Sequence, residues 1–577
     1  MPDNLTIRAG GDTATTTGVI STGEMLTKAL ARSQYDVFTF RTNPAEIKGG
    51  QAMFQVRMGN HPILSQGSYL DILVAYDEES LKVQGKDLKP DGLAIFDSDA
   101  FFPDDNYAKR SYGVPMTSIA AKESGTKKAK NMVAVGVVGE FLGLPIQSVR
   151  DIVREQFLHK PQAVIDSNIK SMEAGWAWAL KNSCSRDFLV KPRQLKTVKL
   201  VMSGNEAMAA GAVHAGCRYY AGYPITPASE ILEFMEKELP KFDGVTIQTE
   251  DEIAAVTSCI GASFAGAKAM TATSGPGLSL MMEALGLASM LELPIVIVDC
   301  QRGGPSTGMP TKTEQSDLFG AVYGSHGEAP RVVLAPANVK DCFFGMIKAF
   351  NIAEKYQIPV IMLSDQSLSQ RTQTFTRPKL EAVEIWNRAR HLEPAADGHE
   401  YLRYRITENS VSPMAIPGES AETYVATGLE HNERGDPNYT PANHFRMMSK
   451  RHKKLERISR EKGFTRRFGD EHAKVGILSW GSTEGPIEGA IRKANQLGYE
   501  VAALQVKMLH PLPDEEIRHF LDSVEHVIVP EINFTGQFAH MLRARYMVPV
   551  IPLNKCAGVP FTPEEIFGKI EEVIARK

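Results

Sequence analysis

The sequence is short of cysteine, of excess charge and of long apolar runs, and each shortage removes a class of function. Six cysteines (Cys184, Cys217, Cys259, Cys300, Cys342 and Cys556) are scattered over 577 residues. No two are spaced as C-x-x-C, so the sequence offers no local zinc knuckle or redox dithiol. Four sit inside apolar periodic segments, and the set reads as reduced core thiols of a cytoplasmic protein. A net charge of −4, with 23% charged residues, argues against a nucleic-acid or membrane-surface role resting on bulk charge. No apolar run reaches the roughly 20 residues that span a bilayer. The opening stretch, MPDNLTIRAGGDTATTTGV, has neither a basic leader nor an apolar centre, so no signal peptide is expected.

What remains is an ordinary globular composition, 43% hydrophobic, in a chain too long for one core; two to four domains are expected. A first block, residues 1–190, has a Gly/Thr-rich turn, a helix TGEMLTKALARS, strands around AMFQVRM and YLDILVAY, and a helical stretch NMVAVGVVGEFLGLPIQSVRDIVREQF. KPRQLKT reads as a linker. A second block, 197–370, alternates strand and helix. RYYAGYP is a strand, and PASEILEFMEKEL a helix with Thr226 placed to cap it and Pro227 in its first turn. DEIAAVTSCIGASFAG is a helix with Ile253, Val256, Ile260 and Phe264 on one face. KAMTATSG, LPIVIVDC and IPVIMLSD are continuous apolar strands, as in a parallel sheet covered on both faces. The block reads as a doubly wound α/β domain. Residues 371–473 connect, rich in Pro, His and charge; their basic helix HFRMMSKRHKKLERISREKGF reads as a solvated face rather than an anion site. A third block, 474–577, is again α/β.

Ligands of open α/β sheets gather at the carboxyl ends of the strands, and three features of the second block fall there. Tyr223-Pro224-Ile225-Thr226-Pro227 is either a rigid strand-to-helix turn or a carboxylate site at a helix start. Glu250-Asp251-Glu252 is either helix capping or a carboxylate held against a heterocyclic nitrogen. Thr273-Ser274-Gly275-Pro276-Gly277 allows close backbone approach but matches neither phosphate-loop pattern. One strand later, Arg302 suits a bidentate carboxylate contact or a structural ion pair.

The segments NEAMAAGAVHAGCRYYAGYPITPASEILE, TEDEIAAV, ATSGPGLSLMMEALGLASMLELPIVIVDCQRGGPSTGMPTKTEQSDL and ATGLEHNERG together resemble the α subunit of 2-oxoacid:ferredoxin oxidoreductases. The resemblance is strongest to the 2-oxoglutarate type with its γ domain fused at the N-terminus, and it covers nearly the whole chain. TGEMLTKAL, IKGGQAMFQVRM and NMVAVG are similar to the γ domain, although GGDTATTTG replaces a more glycine-rich run. The third block, through PEINFTGQ, is similar to the carboxyl-terminal domain of transketolases.

The resemblance implies thiamine diphosphate chemistry in which Glu252 hydrogen-bonds the aminopyrimidine ring nitrogen and so promotes loss of the thiazolium proton. It implies that Tyr223, Pro224, Ile225, Ser274 and Gly275 line the cofactor, and that Thr226 and Arg302 hold the 1-carboxylate of the oxoacid. Glu252 is chosen over Glu250 because the family glutamate precedes the small-residue helix by the step that matches EIAAV. Lys48 and Lys312 are candidates for a distal carboxylate, with solvated lysines as the alternative. The chain contains no G-D-G tripeptide and no cysteine set for an iron–sulfur cluster. A β subunit carrying the Mg²⁺–diphosphate site and the cluster is therefore expected, with ferredoxin as electron acceptor, coenzyme A as acyl acceptor and an (αβ)₂ assembly. The expected reaction converts 2-oxoglutarate to succinyl-CoA and carbon dioxide and, run backwards, fixes carbon dioxide. Pyruvate or branched-chain oxoacids, a non-catalytic assembly subunit and an independent thiamine decarboxylase are the alternatives.

Overall fold

The computed structural model describes residues 3–13, 18–44, 49–103, 110–182, 190–191, 198–392, 400–419 and 422–576. It is α/β with three sheets, in two compact units: 1–202 with 370–378, and 203–369 with 379–577. Lys48, Cys184 and most of the linker KPRQLKT lie outside the described residues.

The first unit is built on strands β1 (Asn4–Asp12), β2 (Asp36–Thr42), β3 (Gln51–Gly59), β4 (Leu70–Ala75), β5 (Leu88–Asp97), β6 (Arg110–Val114) and β7 (Lys199–Ser203). A late strand, β14 (Thr372–Thr376), joins them in the order β6-β5-β4-β1-β3-β2-β14-β7. The expected helix TGEMLTKALARS is Val19–Arg32. The helical stretch after it is broken into Lys130–Phe141 and Ile146–Gln156, and Gln162–Lys181 follows. Helix Lys130–Phe141 is buried along almost its whole length. It packs so closely on Gln162–Lys181 that a Cβ on Gly136 would meet the Met172 carbonyl at 2.0 Å.

The second unit holds the doubly wound sheet: β8 (Tyr219–Gly222), β9 (Val245–Gln248), β10 (Ala269–Thr273), β11 (Val296–Gln301), β12 (Val332–Leu334) and β13 (Val360–Asp365). All six are parallel. β10, β11 and β13 are buried at every position, as their unbroken apolar sequences demand. The last block forms β15 (Thr465–Gly469), β16 (Val475–Trp480), β17 (Val501–Val506), β19 (His526–Glu531) and β20 (Ile551–Asn554). Its short β18 (Met508–His510) leaves that sheet and pairs antiparallel with β12, giving the order β18-β12-β13-β11-β10-β8-β9. Among the described strands β9 is therefore an edge.

Four expectations are corrected. Helix Ser229–Glu238 starts two residues later than expected, with Ala228 and not Thr226 at its cap, because the Ile225 carbonyl already accepts from the Ala228 and Ser229 amides. Ile253 is 48% exposed while Val256 is fully buried, so Ile253 does not share the buried face. The basic helix, Pro441–Ile458, is not a solvated face. Lys450, Arg451 and Lys454 are buried, and both lysines bond the buried Glu292 carboxylate at 2.5 Å. Cys556 is exposed, unlike the buried Cys217, Cys259, Cys300 and Cys342.

Candidate functional site

Parallel strands end on one side of the sheet, so the segments that follow β8, β9, β10 and β11 converge there. After β8 the chain runs through Tyr223–Ile225 and a cis Thr226–Pro227 bond. Asn205 holds this turn from behind: its side-chain amide donates to the Pro227 carbonyl at 2.8 Å and to Glu230 Oε2 at 3.1 Å. Tyr223, Pro224 and Thr226 are exposed.

After β9, Asp251 caps helix Glu252–Phe264 by accepting from the Ala254 amide at 2.7 Å. The capping reading of this acidic triplet thus belongs to Asp251. Its neighbours differ: Glu250 is exposed, whereas Glu252 is 6% exposed. Among the described residues the Glu252 carboxylate accepts no hydrogen bond and makes no ion pair. A buried carboxylate of this kind is costly unless a donor reaches it.

After β10, Ser274 is the cap of a short helix, Gly275–Leu280, so the Gly-Pro-Gly sequence is its first turn rather than a free loop. The Ser274 hydroxyl is donated to the Cys300 carbonyl at 2.8 Å, leaving the Ser274 backbone as its contribution to any ligand. Side chains approach both glycines closely. A Cβ on Gly277 would lie 2.0 Å from Thr273 Oγ1 and 2.6 Å from Glu252 Oε1. A Cβ on Gly275 would lie 2.6 Å from Asp317 Oδ2.

After β11, Arg302 is buried, and its Nη1 donates to the Thr226 carbonyl at 2.7 Å. Its Nε has no hydrogen-bond partner. Burial lowers its pKa, opposed by Asp317 and Asp299, but a guanidinium stays charged. Lys312 lies on the next loop, where its backbone accepts from Gly303 and donates to Met309. Burial lowers the pKa of its ammonium as well. The fold thus gathers Thr226, Glu252, Ser274, Gly275 and Arg302.

Several residues of the site were not singled out by sequence. Asn205 opens the segment NEAMAAGAVHAGCRYYAGYPITPASEILE, but nothing local marks its role. Gln315, Asp317 and Gln537 lie within segments quoted for the resemblance, EQSDL and PEINFTGQ, but their roles appear only in three dimensions. The Gln315 backbone N–H donates to the Ile532 carbonyl at 2.7 Å, and its side-chain Oε1 accepts from the Ile532 amide at 3.2 Å. Gln537 donates to the Ser316 carbonyl and accepts from the Phe319 amide, at 2.8 and 2.9 Å. The carboxyl-terminal block therefore fixes the loop that reaches Gly275. Asp299 had one visible sign, an aspartate in the apolar strand LPIVIVDC.

Thiamine diphosphate is the group to test against this geometry. A largely buried carboxylate with no donor among the described residues, closely faced by Gly277, fits the pyrimidine end of that cofactor. Glu252 would meet its ring nitrogen, and the backbones of Tyr223–Ile225 and Ser274–Gly277 would lie along it.

Three families match in series: "Pyruvate ferredoxin/flavodoxin oxidoreductase" at residues 13–178, "Pyruvate flavodoxin/ferredoxin oxidoreductase, thiamine diP-bdg" at 210–450, and "Pyruvate:ferredoxin oxidoreductase core domain II" at 473–566. The chain is 35% identical to the 2-oxoglutarate oxidoreductase subunit KorA of Mycobacterium tuberculosis, over 99% of this chain and 92% of that one. It is 31% identical to the α subunit of 2-oxoacid:ferredoxin oxidoreductase 2 of Aeropyrum pernix, over 96% of each. The solved 2-oxoglutarate:ferredoxin oxidoreductase of Magnetococcus marinus, with 2-oxoglutarate, coenzyme A and succinyl-CoA bound, superposes with a TM-score of 0.93 at 41% identity, over 100% of both chains. On the site geometry and these full-length likenesses, the chain belongs to the 2-oxoacid:ferredoxin oxidoreductase family.

Proposed function

We propose that this chain is the α subunit, with a fused γ domain, of a coenzyme A-dependent 2-oxoglutarate:ferredoxin oxidoreductase. The observation that carries the reading is the buried, unpartnered Glu252 carboxylate against Gly277, with Arg302 anchored on Thr226 beside it. Full-length similarity to proteins named for 2-oxoglutarate supports the substrate. The division into 1–190, 197–370, 371–473 and 474–577 is supported by where the three family matches fall.

Thiamine diphosphate, when bound, supplies a nucleophilic thiazolium carbon for the 2-oxo group. Glu252 holds a proton at the pyrimidine ring nitrogen. Arg302 has one donor fixed on Thr226 and leaves Nε free, so it orients the substrate's 1-carboxylate without reorganising. Lys312 is the described candidate for the distal carboxylate.

The chain works within a multi-subunit complex. A partner β subunit supplies the Mg²⁺–diphosphate site and the iron–sulfur cluster that passes electrons to ferredoxin. The second unit has a rim for it: edge strand β9 exposes Val245 and Ile247, and Tyr223, Ile253 and Leu280 are exposed at the same site. An uncovered edge with apolar side chains suits a partner chain. No helix among the described residues is long and apolar enough to cross a membrane; we place the complex in the cytoplasm.

The test is a panel of oxoacids on the chain co-expressed with its partner, scored for coenzyme A-dependent ferredoxin reduction. 2-Oxoglutarate is expected to give the highest kcat/KM. A preference for pyruvate or branched-chain oxoacids overturns the substrate, and no turnover with any oxoacid overturns the catalytic reading.

A further inference from the structure

Two carboxyl groups lie beside Arg302 and have no role in the reading above. Asp299 sits in β11 opposite Thr273 of β10. It is fully buried, and neither carboxyl oxygen has a hydrogen-bond partner. Asp317 precedes the short helix Leu318–Tyr323 but does not cap it with its side chain, and its Oδ2 also has no partner.

Two anchors bring Asp317 to the Asp299 end of the sheet. Its backbone amide donates to Gln301 Oε1 at 3.1 Å, and Gln301 shares a strand face with Asp299, two residues away. Its carboxylate also packs on Gly275, two residues beyond Thr273. The bonds from Gln315 and Ser316 to the carboxyl-terminal block hold this arrangement.

Two carboxylates in one buried site do not both ionise readily. For Asp299, burial and then Asp317 raise the pKa, and Arg302 opposes them. For Asp317, burial and then Glu314 raise it to about 6, again against Arg302. The other acidic groups close by are Glu252, across Gly277, and Asp365, which accepts from Thr313 Oγ1 and the Leu368 amide.

We propose that Asp299 and Asp317 together carry one proton, on one carboxyl or the other, beside Arg302 and act as a positioning pair for the oxoacid. With that proton the trio is neutral, and the free donor of Arg302 receives the substrate's carboxylate. Loss of the proton leaves the trio net negative and repels the substrate. The inference rests on the reading of Arg302 as the carboxylate contact.

The experiment uses the chain purified with its partner subunit. For the wild type, the oxoacid KM is expected to rise on the order of tenfold between about pH 6 and about pH 9, as a like charge appears near the anion. Asp317→Asn and Asp299→Asn should each flatten that rise, because either pair then carries at most one negative charge. Asp317→Glu should restore it. Infrared spectra with carbon-13 aspartate should show a protonated carboxyl at neutral pH that either Asn variant removes. No such band in the wild type, or a KM rise in Asp317→Asn that parallels the wild type, overturns the proposal. If Asp317→Asn does not assemble, the wild-type band and Asp299→Asn decide. An unchanged KM in Arg302→Lys with the band intact overturns instead the reading of Arg302.

Discussion

Replacing Glu252 with Gln tests the site most directly. The exchange keeps shape and volume, so the first turn of helix Glu252–Phe264, capped by Asp251, should stay in place. What is lost is a carboxylate that is 6% exposed and has no donor within the described chain. A hydrogen bond from a charged group to such an acceptor contributes about 1.5–3 kcal/mol, and the upper part of that range is roughly a hundredfold in rate. Loss of a general acid–base partner falls in the same range or above it. Glu252→Gln in the assembled complex is therefore expected to retain thiamine diphosphate, whose diphosphate anchor we assign to the partner. It should lose oxoacid-dependent ferredoxin reduction by about a hundredfold or more. Exchange of the thiazolium proton with deuterated solvent, followed by NMR after acid quench, should slow by a similar factor. Glu250→Gln is the control: Glu250 is exposed, and its variant should be far milder. Gly277→Ala is the geometric counterpart, because its Cβ would lie 2.6 Å from Glu252 Oε1 and must displace that carboxylate. A dead Glu250→Gln beside a Glu252→Gln with normal exchange would refute the assignment. Full activity in both variants would make the acidic triplet only a helix start.

Arg302→Lys keeps the charge but loses the planar fork that serves Thr226 and an anion at once; kcat/KM for the oxoacid should fall by the equivalent of about 2–3 kcal/mol, and full activity in the folded variant would make Arg302 a structural group. Glu292→Gln leaves Lys450 and Lys454 buried against a neutral amide and should cost about 3–5 kcal/mol by urea unfolding; replacing all three by apolar residues of similar size should recover most of it, and failure to do so would show a role beyond charge balance. His510 is pushed down to about 4, first by burial and then by Arg331, Arg545 and His452. The unfolded chain therefore binds a proton that the folded chain refuses between about pH 4 and about pH 6.5. Stability from this group is complete above the unfolded value and falls as pH drops through that window, by about 3 kcal/mol at most; His510→Gln should flatten that part of the pH–stability curve, and an unchanged slope would contradict the assignment.

The sequence by itself determined the strands and which side chains stand at their ends. Apolar runs such as LPIVIVDC and IPVIMLSD have no polar face to show solvent, so they can only be interior parallel strands, and they are β11 and β13. Their turns therefore open on one side of the sheet, where Arg302 bonds Thr226 and Glu252 faces Gly277. Tertiary structure decided what local pattern could not. Burial separates Glu252 from Glu250, two residues apart in an acidic triplet, because one faces Gly277 and the other faces out. The basic helix Pro441–Ile458 looked solvated because nothing near it in sequence balances its charge; its partner, Glu292, is more than 150 residues away. The loop that carries Asp317 to Gly275 is held in part by bonds from Gln315 and Ser316 to residues 217 and 221 positions further on. Periodicity and turn chemistry act over a few residues, whereas pairing of buried charges and closure of a site depend on which distant segments fold side by side.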